Sequence, residues 1–232
     1  MQVDSRAAAQ RDHRPAAPRT PDPLHEAAAT AACLVGGLVT GIAAKWSDGG
    51  WTPSWLHDLG NYPALFVVAL VLLAITAPGE VRAATRAVAF FVALCAGYYA
   101  ASLLGFGFLS RTSLVAWTTV ALTVVPIAAV LLRWALRRRG FLPGAAFTAV
   151  AGAVLADGTV RQVYWAWTGD IARAYWFLLH PVQAAVDVVL AIVVCLLPRT
   201  WRTRLWAFVL LVPMTLLVTR LVGMAYSYGG LG

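Results

Sequence analysis

Long runs of apolar residues dominate the chain, and its polar residues are gathered in short segments between these runs. Runs of this kind are typical of helices that face lipid, because such helices lack the polar stripe of a soluble amphipathic helix. The pattern predicts seven transmembrane helices, at 27–44, 62–78, 84–104, 114–136, 141–157, 181–197 and 203–223. The predicted fold class is therefore an all-α, polytopic membrane protein.

Three segments qualify this prediction. The fifth run is short and contains Pro143, so a re-entrant fifth segment would leave six spans and move the C-terminus to the other side. Residues 158–180, between helices 5 and 6, are too polar to span. They predict an amphipathic interfacial helix or a re-entrant segment with a break at Gly169. Residues 1–25 predict a disordered cytoplasmic tail, which leaves 26–232 as the seven-helix transmembrane domain.

Composition supports a membrane protein. Sixty per cent of residues are apolar, 12% are charged, and the mean hydropathy is +0.73, so the chain lacks the charges that cover a soluble domain. The net charge of +8 does not indicate nucleic acid, because the arginines form short clusters between apolar runs rather than a continuous basic surface. Lys45 is the single lysine, a bias that suggests a GC-rich, actinobacterial source. Cys33, Cys95 and Cys195 lie in apolar runs and are predicted to be unpaired.

The distribution of basic residues predicts the orientation. With the N-terminus in the cytoplasm, 13 of the 18 basic residues fall on the cytoplasmic side, as the positive-inside rule requires. We therefore expect a multipass protein of a bacterial inner membrane with its N-terminus inside and its C-terminus outside. The five remaining basic residues are Lys45, Arg111, Arg161, Arg173 and Arg220.

Aromatic residues are concentrated on the predicted outer side, which holds all seven tyrosines and seven of the ten tryptophans. An ordinary aromatic belt would decorate both interfaces. The excess on one side favours an aromatic-lined cavity near the outer leaflet, although a belt remains the alternative for about half of the set. A second pattern, Gly37 and Gly41 in the first helix, predicts close helix packing rather than a ligand site.

The acidic residues show the same asymmetry. Asp58 and Asp157 lie on the predicted outer side, and Asp187 lies about two turns into the sixth helix. An ionisable group at membrane depth is costly and usually functional. Two alternatives remain open, namely that Asp157 is an exposed helix-end residue and that Asp187 is ion-paired with Arg220. His57 and His180 have no second ligand at zinc-site spacing, and no nucleotide-binding or hydrolase motif is present, so neither a metal nor a cofactor is predicted.

Several short motifs resemble a family of small actinobacterial multipass proteins of unknown function. They are Asn61 with 63–66, the Gly-Tyr-Tyr-Ala stretch at 97–100, the arginine-rich turn 137–140, and the Ala-Asp-Gly stretch at 156–158. The resemblance covers most of residues 30–220 and implies fold and topology. More loosely, size, helix number and the content of aromatic and acidic residues resemble the membrane-integral terpene cyclases of drimane-type pathways. That second resemblance implies cyclisation of a prenyl or farnesyl chain.

The chemistry implied by the second resemblance suits these residue types. Protonating an alkene needs a neutral, dry carboxylic acid, and tyrosine and tryptophan faces stabilise the resulting cation by cation–π attraction. The hypothesis makes Asp157 the proton donor, Asp58 or Asp187 its partner carboxylate, and Asn61 the residue that orients the acid. The substrate would be a hydrophobic prenylated small molecule that reaches the site through the bilayer. Its pocket would be lined by Tyr98, Tyr99, Tyr164, Trp165 and Trp167.

Two other functions remain open. One is a non-enzymatic membrane component, either a lipid-binding accessory subunit or a small-solute carrier. Against a carrier, the sequence has no convincing inverted repeat and no paired broken helices. The other is a structural membrane protein whose aromatic residues form only a belt. Neither the substrate nor the oligomeric state follows from the sequence.

Overall fold

The computed structural model describes residues 23–48, 53, 63–107, 110–156, 158–169 and 180–229, with the backbone alone at 106 and 225–229. All the regular secondary structure in these residues is helical. Residues 1–22 of the predicted tail lie outside this part of the chain, and the first helix begins at Pro23. The described helices are α1 Pro23–Ser47, α2 Ala64–Thr76, α3 Glu80–Phe106, α4 Arg111–Leu122, α5 Val124–Ala135, α6 Phe141–Leu155, α7 Thr159–Thr168, α8 Pro181–Leu196 and α9 Trp201–Gly229.

Each of the seven predicted apolar segments contains a helix, but the helices differ in length. Four stretches are long and apolar enough to cross a membrane: Pro23–Ser47, Glu80–Gly105, Arg111–Ala135 and Trp201–Met224. Helices α6 and α7 make a fifth candidate if they form one bent span, because their axes differ by 61°. Helices α2 and α8 are apolar but have only 13 and 16 residues. The fold is therefore all-helical and typical of a membrane protein, with four or five candidate spans by length.

Glycine and proline account for the breaks between these helices. Pro126 has no N–H to donate to the preceding turn, and the span Arg111–Ala135 is interrupted at Thr123. Gly158 (φ 94°) and Gly169 (φ 85°) adopt left-handed conformations that L side chains rarely adopt, and they bound α7 on its two sides. The predicted break at Gly169 is confirmed.

Short turns bring the arginine-rich ends of several helices together. The guanidinium of Arg137 donates to the carbonyl oxygen of Pro78 at 2.7 Å and contacts the carboxylate of Glu80 at 3.3 Å. The Gly140 N–H donates to the Thr203 hydroxyl at 3.0 Å. We call this side of the bundle, with residues 77–82, 136–140 and 197–204, the arginine end. The opposite side, where α1 and α3 end and α8 begins, is the aromatic end.

Small residues let two pairs of helices approach closely. Gly37 and Gly41 of α1 face the backbone of α3, and a Cβ at either position would overlap a carbonyl oxygen, of Phe90 or Leu94. Gly144 of α6 faces α9 in a similar way, with the Trp206 Cβ 2.8 Å from where its own Cβ would lie. The close packing predicted for the glycines of α1 is confirmed.

The two short helices contribute much of the buried core. Helix α2 lies against α3 and α5, and α8 contacts α2 as well as α6, α7 and α9. Ala74 of α2 and Val194 and Cys195 of α8 are fully buried. All three cysteines are free, as predicted, and Cys33 differs from the other two in being only partly buried.

Candidate functional site

Two polar clusters lie among the apolar helices, and three of the predicted site residues belong to a cluster or adjoin one. Asp157, Asp58 and Asn61 lie outside the described residues. The structure describes the other six predicted residues, and they do not come together in one pocket. The six are Asp187, Tyr98, Tyr99, Tyr164, Trp165 and Trp167.

The first cluster is centred on Asp187, an ionisable residue with no exposed surface. The Thr159 hydroxyl donates to its Oδ2 at 2.6 Å, and the Gln183 amide nitrogen donates to its Oδ1 at 2.6 Å. Its hydrogen-bond partners are therefore Thr159 and Gln183 rather than Arg220, whose side chain is exposed. Gln183 is 1% exposed, and its Oε1 is buried without a hydrogen-bond partner. The cluster thus contains one spare buried acceptor.

Local sequence explains this arrangement. Gln183 and Asp187 are four residues apart on α8, so they lie on one face of the helix. Pro181 starts that helix, where a missing N–H costs nothing. Gly158 allows the turn that brings Thr159, the first residue of α7, against α8. The i, i+4 spacing of two polar residues in an apolar helix could have identified Gln183 from the sequence, whereas Thr159 offered no such signal.

The second cluster lies where α1 ends beside α3. The Tyr98 hydroxyl donates to the Asp48 carboxylate at 2.5 Å, and Lys45 forms an ion pair with the same carboxylate at 3.3 Å. The Lys45 ammonium also lies 5.1 Å from the centre of the Tyr98 ring. Asp48 Oδ1 is buried without a hydrogen-bond partner. The cluster is compact and mixed in charge, and Lys45 and Asp48 were not among the predicted site residues.

Tyr99 adjoins the second cluster. Its ring contacts that of Tyr98 edge to face, with centroids 5.2 Å apart. Helix α3, which carries both tyrosines, packs on α1, α2, α4 and α5, whereas α8 packs on α2, α6, α7 and α9. The tyrosine pair and Asp187 consequently belong to different parts of the bundle.

The aromatic residues of α7 lie on the surface. Trp167 is 91% exposed and Tyr164 is 60% exposed. Trp165 is less exposed and lies under the Arg161 guanidinium, 4.7 Å from the ring centre. Exposed tyrosine and tryptophan side chains on a short helix are typical of an interfacial aromatic belt. The pocket lining predicted for these three residues would require other residues to cover them.

The hydrogen bond from Tyr98 to Asp48 is expected to stabilise the protein, and a substitution can test this. Tyr98→Phe is expected to lower the free energy of unfolding by about 2 kcal/mol, because the Asp48 carboxylate loses a short, charge-assisted hydrogen bond. Tyr164→Phe removes a hydroxyl from an exposed side chain and is expected to change little. Thermal unfolding of both variants in mild detergent measures the difference. Equal midpoints for the two would show that the Tyr98 bond does not stabilise the protein.

Comparisons with known proteins identify the family. Neither the curated proteins nor the solved structures contain a match to this chain. A family model does match, over residues 20–228, which includes every helix except the last residue of α9. The predicted resemblance to a family of unknown function is confirmed at that level, whereas the resemblance to terpene cyclases gains no support. The chain belongs to DUF6518, a family of unknown function.

Proposed function

We propose that the protein is a proton-linked carrier of small solutes in a bacterial inner membrane, with Asp187 as the proton-binding residue. The observation that carries the proposal is a carboxyl group without exposed surface in an apolar helix of only 16 residues. Burying an ionisable group at membrane depth is costly, and such groups mark proton relays and substrate pathways. Carriers commonly build their sites from short or interrupted helices near the bilayer midplane.

The positions of α2 and α8 along the chain support a carrier. Pro63 immediately precedes α2 and Pro181 is the first residue of α8, and each helix is followed by a proline-containing turn, with Pro78 or Pro198. Each turn leads into a long helix, and the two short helices contact one another. Short apolar helices that pair in this way are a feature of carrier binding sites. This pairing follows from the helix lengths and contacts, since the sequence itself has no convincing inverted repeat.

The lengths of the short helices suggest where a solute binds. At about 1.5 Å per residue α2 is about 20 Å long, against about 30 Å for the hydrocarbon core of a bilayer. The turns after α2 and α8 hold their C-terminal ends at the arginine end, so the missing length is at the aromatic end. We therefore place the solute beside the N-termini of α2 and α8, next to the buried side chains of Gln183 and Asp187.

The finer topology is part of this proposal. In this topology all seven apolar segments cross the membrane. The arginine end faces the cytoplasm, because it carries seven of the 13 basic residues that the structure describes. The N-terminus is then inside and the C-terminus outside.

Gln183 gives Asp187 a partner in both protonation states. An ionised carboxylate only accepts hydrogen bonds, and it receives them from Thr159 and from the Gln183 amide nitrogen. When a proton binds, the carboxylic acid becomes a donor and needs an acceptor. The buried, unpartnered Oε1 of Gln183 is on the same amide and supplies that acceptor by rotation of the amide group. The proton can therefore be taken up and released without leaving Asp187 unpaired.

Electrical recording tests the carrier. Proteoliposomes on a solid-supported membrane are given amino acids, sugars, organic acids and amines in turn, at two pH values. The wild type is expected to give a solute-dependent current that needs a pH gradient, and Asp187→Asn none. The control Glu80→Gln removes a partly exposed carboxylate of the arginine end and should keep the current. A proton-linked current in Asp187→Asn would refute the role of Asp187, and a silent wild type would refute the carrier.

A terpene cyclase is the second candidate. The observation that favours it is again Asp187, because a buried acid sheltered from water is what protonation of an alkene requires. In this case aromatic residues other than Tyr98 and Trp167 line the pocket, since Tyr98 is bonded to Asp48 and Trp167 is exposed. Incubation with a farnesylated diketopiperazine should then yield an isomer of equal mass. Equal yields from the wild type, Asp157→Asn and Asp187→Asn would exclude both acids as proton donors.

A further inference from the structure

A groove runs along α1 at the arginine end, remote from both polar clusters. Its apolar wall is formed by Ala27, Ala31 and Leu34, which share one face of the helix at helical spacing. Glu26 and Arg82 line its polar end, with Arg82 contributed by α3. The small alanine side chains keep the groove open. The feature therefore combines a charged end with an open apolar surface that continues along α1.

The charges at the polar end do not balance. The Arg86 guanidinium holds both carboxylate oxygens of Glu26, at 3.2 and 3.1 Å, and is largely buried. The Nε of Arg82 lies 3.4 Å from the same carboxylate, and the Arg82 side chain is 32% exposed. Among the described residues of the groove, one carboxylate thus faces two guanidinium groups, which leaves one positive charge in excess. The Nη groups of Arg82 remain for a ligand, and a guanidinium fits the oxygens of a phosphate.

The structure assigns this groove as a binding site for an anionic phospholipid. Arg82 binds the phosphate of the headgroup, and one acyl chain lies along Ala27, Ala31 and Leu34 toward the exposed Leu38. A free phosphate ion would satisfy only the polar end, whereas a phospholipid fills both ends. Zwitterionic lipids carry their own cation beside the phosphate, so the excess positive charge favours a lipid of net negative charge.

Native mass spectrometry of delipidated protein titrated with phosphatidylglycerol tests this assignment. Arg82→Gln is expected to weaken phosphatidylglycerol binding about tenfold, as for loss of one charge-assisted contact. Ala31→Phe fills the apolar part of the groove without changing charge and should weaken binding by a similar factor. Arg202→Gln, at an exposed arginine of the same end but outside the groove, should leave the affinity unchanged.

Each other outcome overturns the assignment. Equal weakening by Arg82→Gln and Arg202→Gln would mean that the lipid responds only to overall charge. Unchanged binding in Ala31→Phe would mean that no acyl chain occupies the groove. Equal affinity for phosphatidylcholine, or full displacement of phosphatidylglycerol by inorganic phosphate, would also contradict a site for an anionic lipid. These results are independent of transport, because none of the variants changes the Asp187 cluster.

Discussion

Gly37→Ala is expected to destabilise the protein by about 3 kcal/mol, the upper part of the usual range for overpacking. The added methyl group would overlap the carbonyl oxygen of Phe90, which belongs to the backbone of α3 and cannot rotate away. Helix α1 would have to separate from α3 along the contact made by Gly37, Gly41 and Gly97. Van der Waals contact of this kind is a main source of stability between helices in lipid, where no hydrophobic force draws them together.

The neighbouring glycine provides a matched control. A Cβ at Gly36 would meet its nearest atom, in the Phe90 ring, at 3.7 Å, an ordinary contact distance. Gly36→Ala is therefore expected to be neutral or to stabilise by up to about 1 kcal/mol, because alanine favours helix. The fraction of folded protein after heating, measured by size exclusion in mild detergent, compares the two variants. Similar losses for both would show that the close approach of α1 to α3 is not the cause.

Helix positions were largely predictable, because the signal for an apolar helix is local. The predicted run 181–197 corresponds to α8, Pro181–Leu196. In the polar segment before it, the first helix, α7, ends at the predicted break, Gly169. Lengths were less predictable. Helix α2 has 13 residues, and its helical conformation ends before Pro78, where Ala77 is extended (ψ 138°) as a residue before proline prefers. Hydropathy alone counts such a segment as a full span.

The polar clusters were not predictable, because they depend on how helices distant in sequence are rotated about their axes. Tyr98 and Asp48 are 50 residues apart, and Thr159 and Asp187 are 28 apart. The sequence placed Tyr98 and Asp187 toward one side of the membrane, but it could not say that they belong to two separate groups. Residues that lie at the same depth in the membrane need not lie close together, because a bundle of this width can hold separate sites at one depth.

Each cluster contains one buried oxygen without a hydrogen-bond partner. In the second cluster it is the carboxylate Oδ1 of Asp48, and in the first it is the amide Oε1 of Gln183. Such groups are costly to leave unpaired, so each calls for a physical explanation. For Gln183 the explanation proposed here is proton binding at Asp187. That explanation separates two contributions of the cluster, one to stability and one to activity, and substitution can measure them independently.

Gln183→Leu is expected to lower the free energy of unfolding by about 3 kcal/mol, because Asp187 stays buried while its Oδ1 loses its donor. Gln162→Leu, at a partly exposed amide of α7, is the matched control and should change little. The triple variant Thr159→Val, Gln183→Leu and Asp187→Leu removes at once the three polar side chains that are hydrogen-bonded to one another in this cluster. Replacement of a complete buried polar group by apolar side chains is often neutral or stabilising.

The triple variant should therefore unfold within about 1 kcal/mol of the wild type in a denaturing-detergent titration, while giving no proton-linked current in proteoliposomes. A stable, silent triple variant would mean that the fold tolerates the loss of Asp187 and that the cluster is retained for its chemistry. A triple variant as unstable as Gln183→Leu would instead assign the cluster to helix packing. A stable triple variant with a wild-type current would remove Asp187 from the transport reaction altogether.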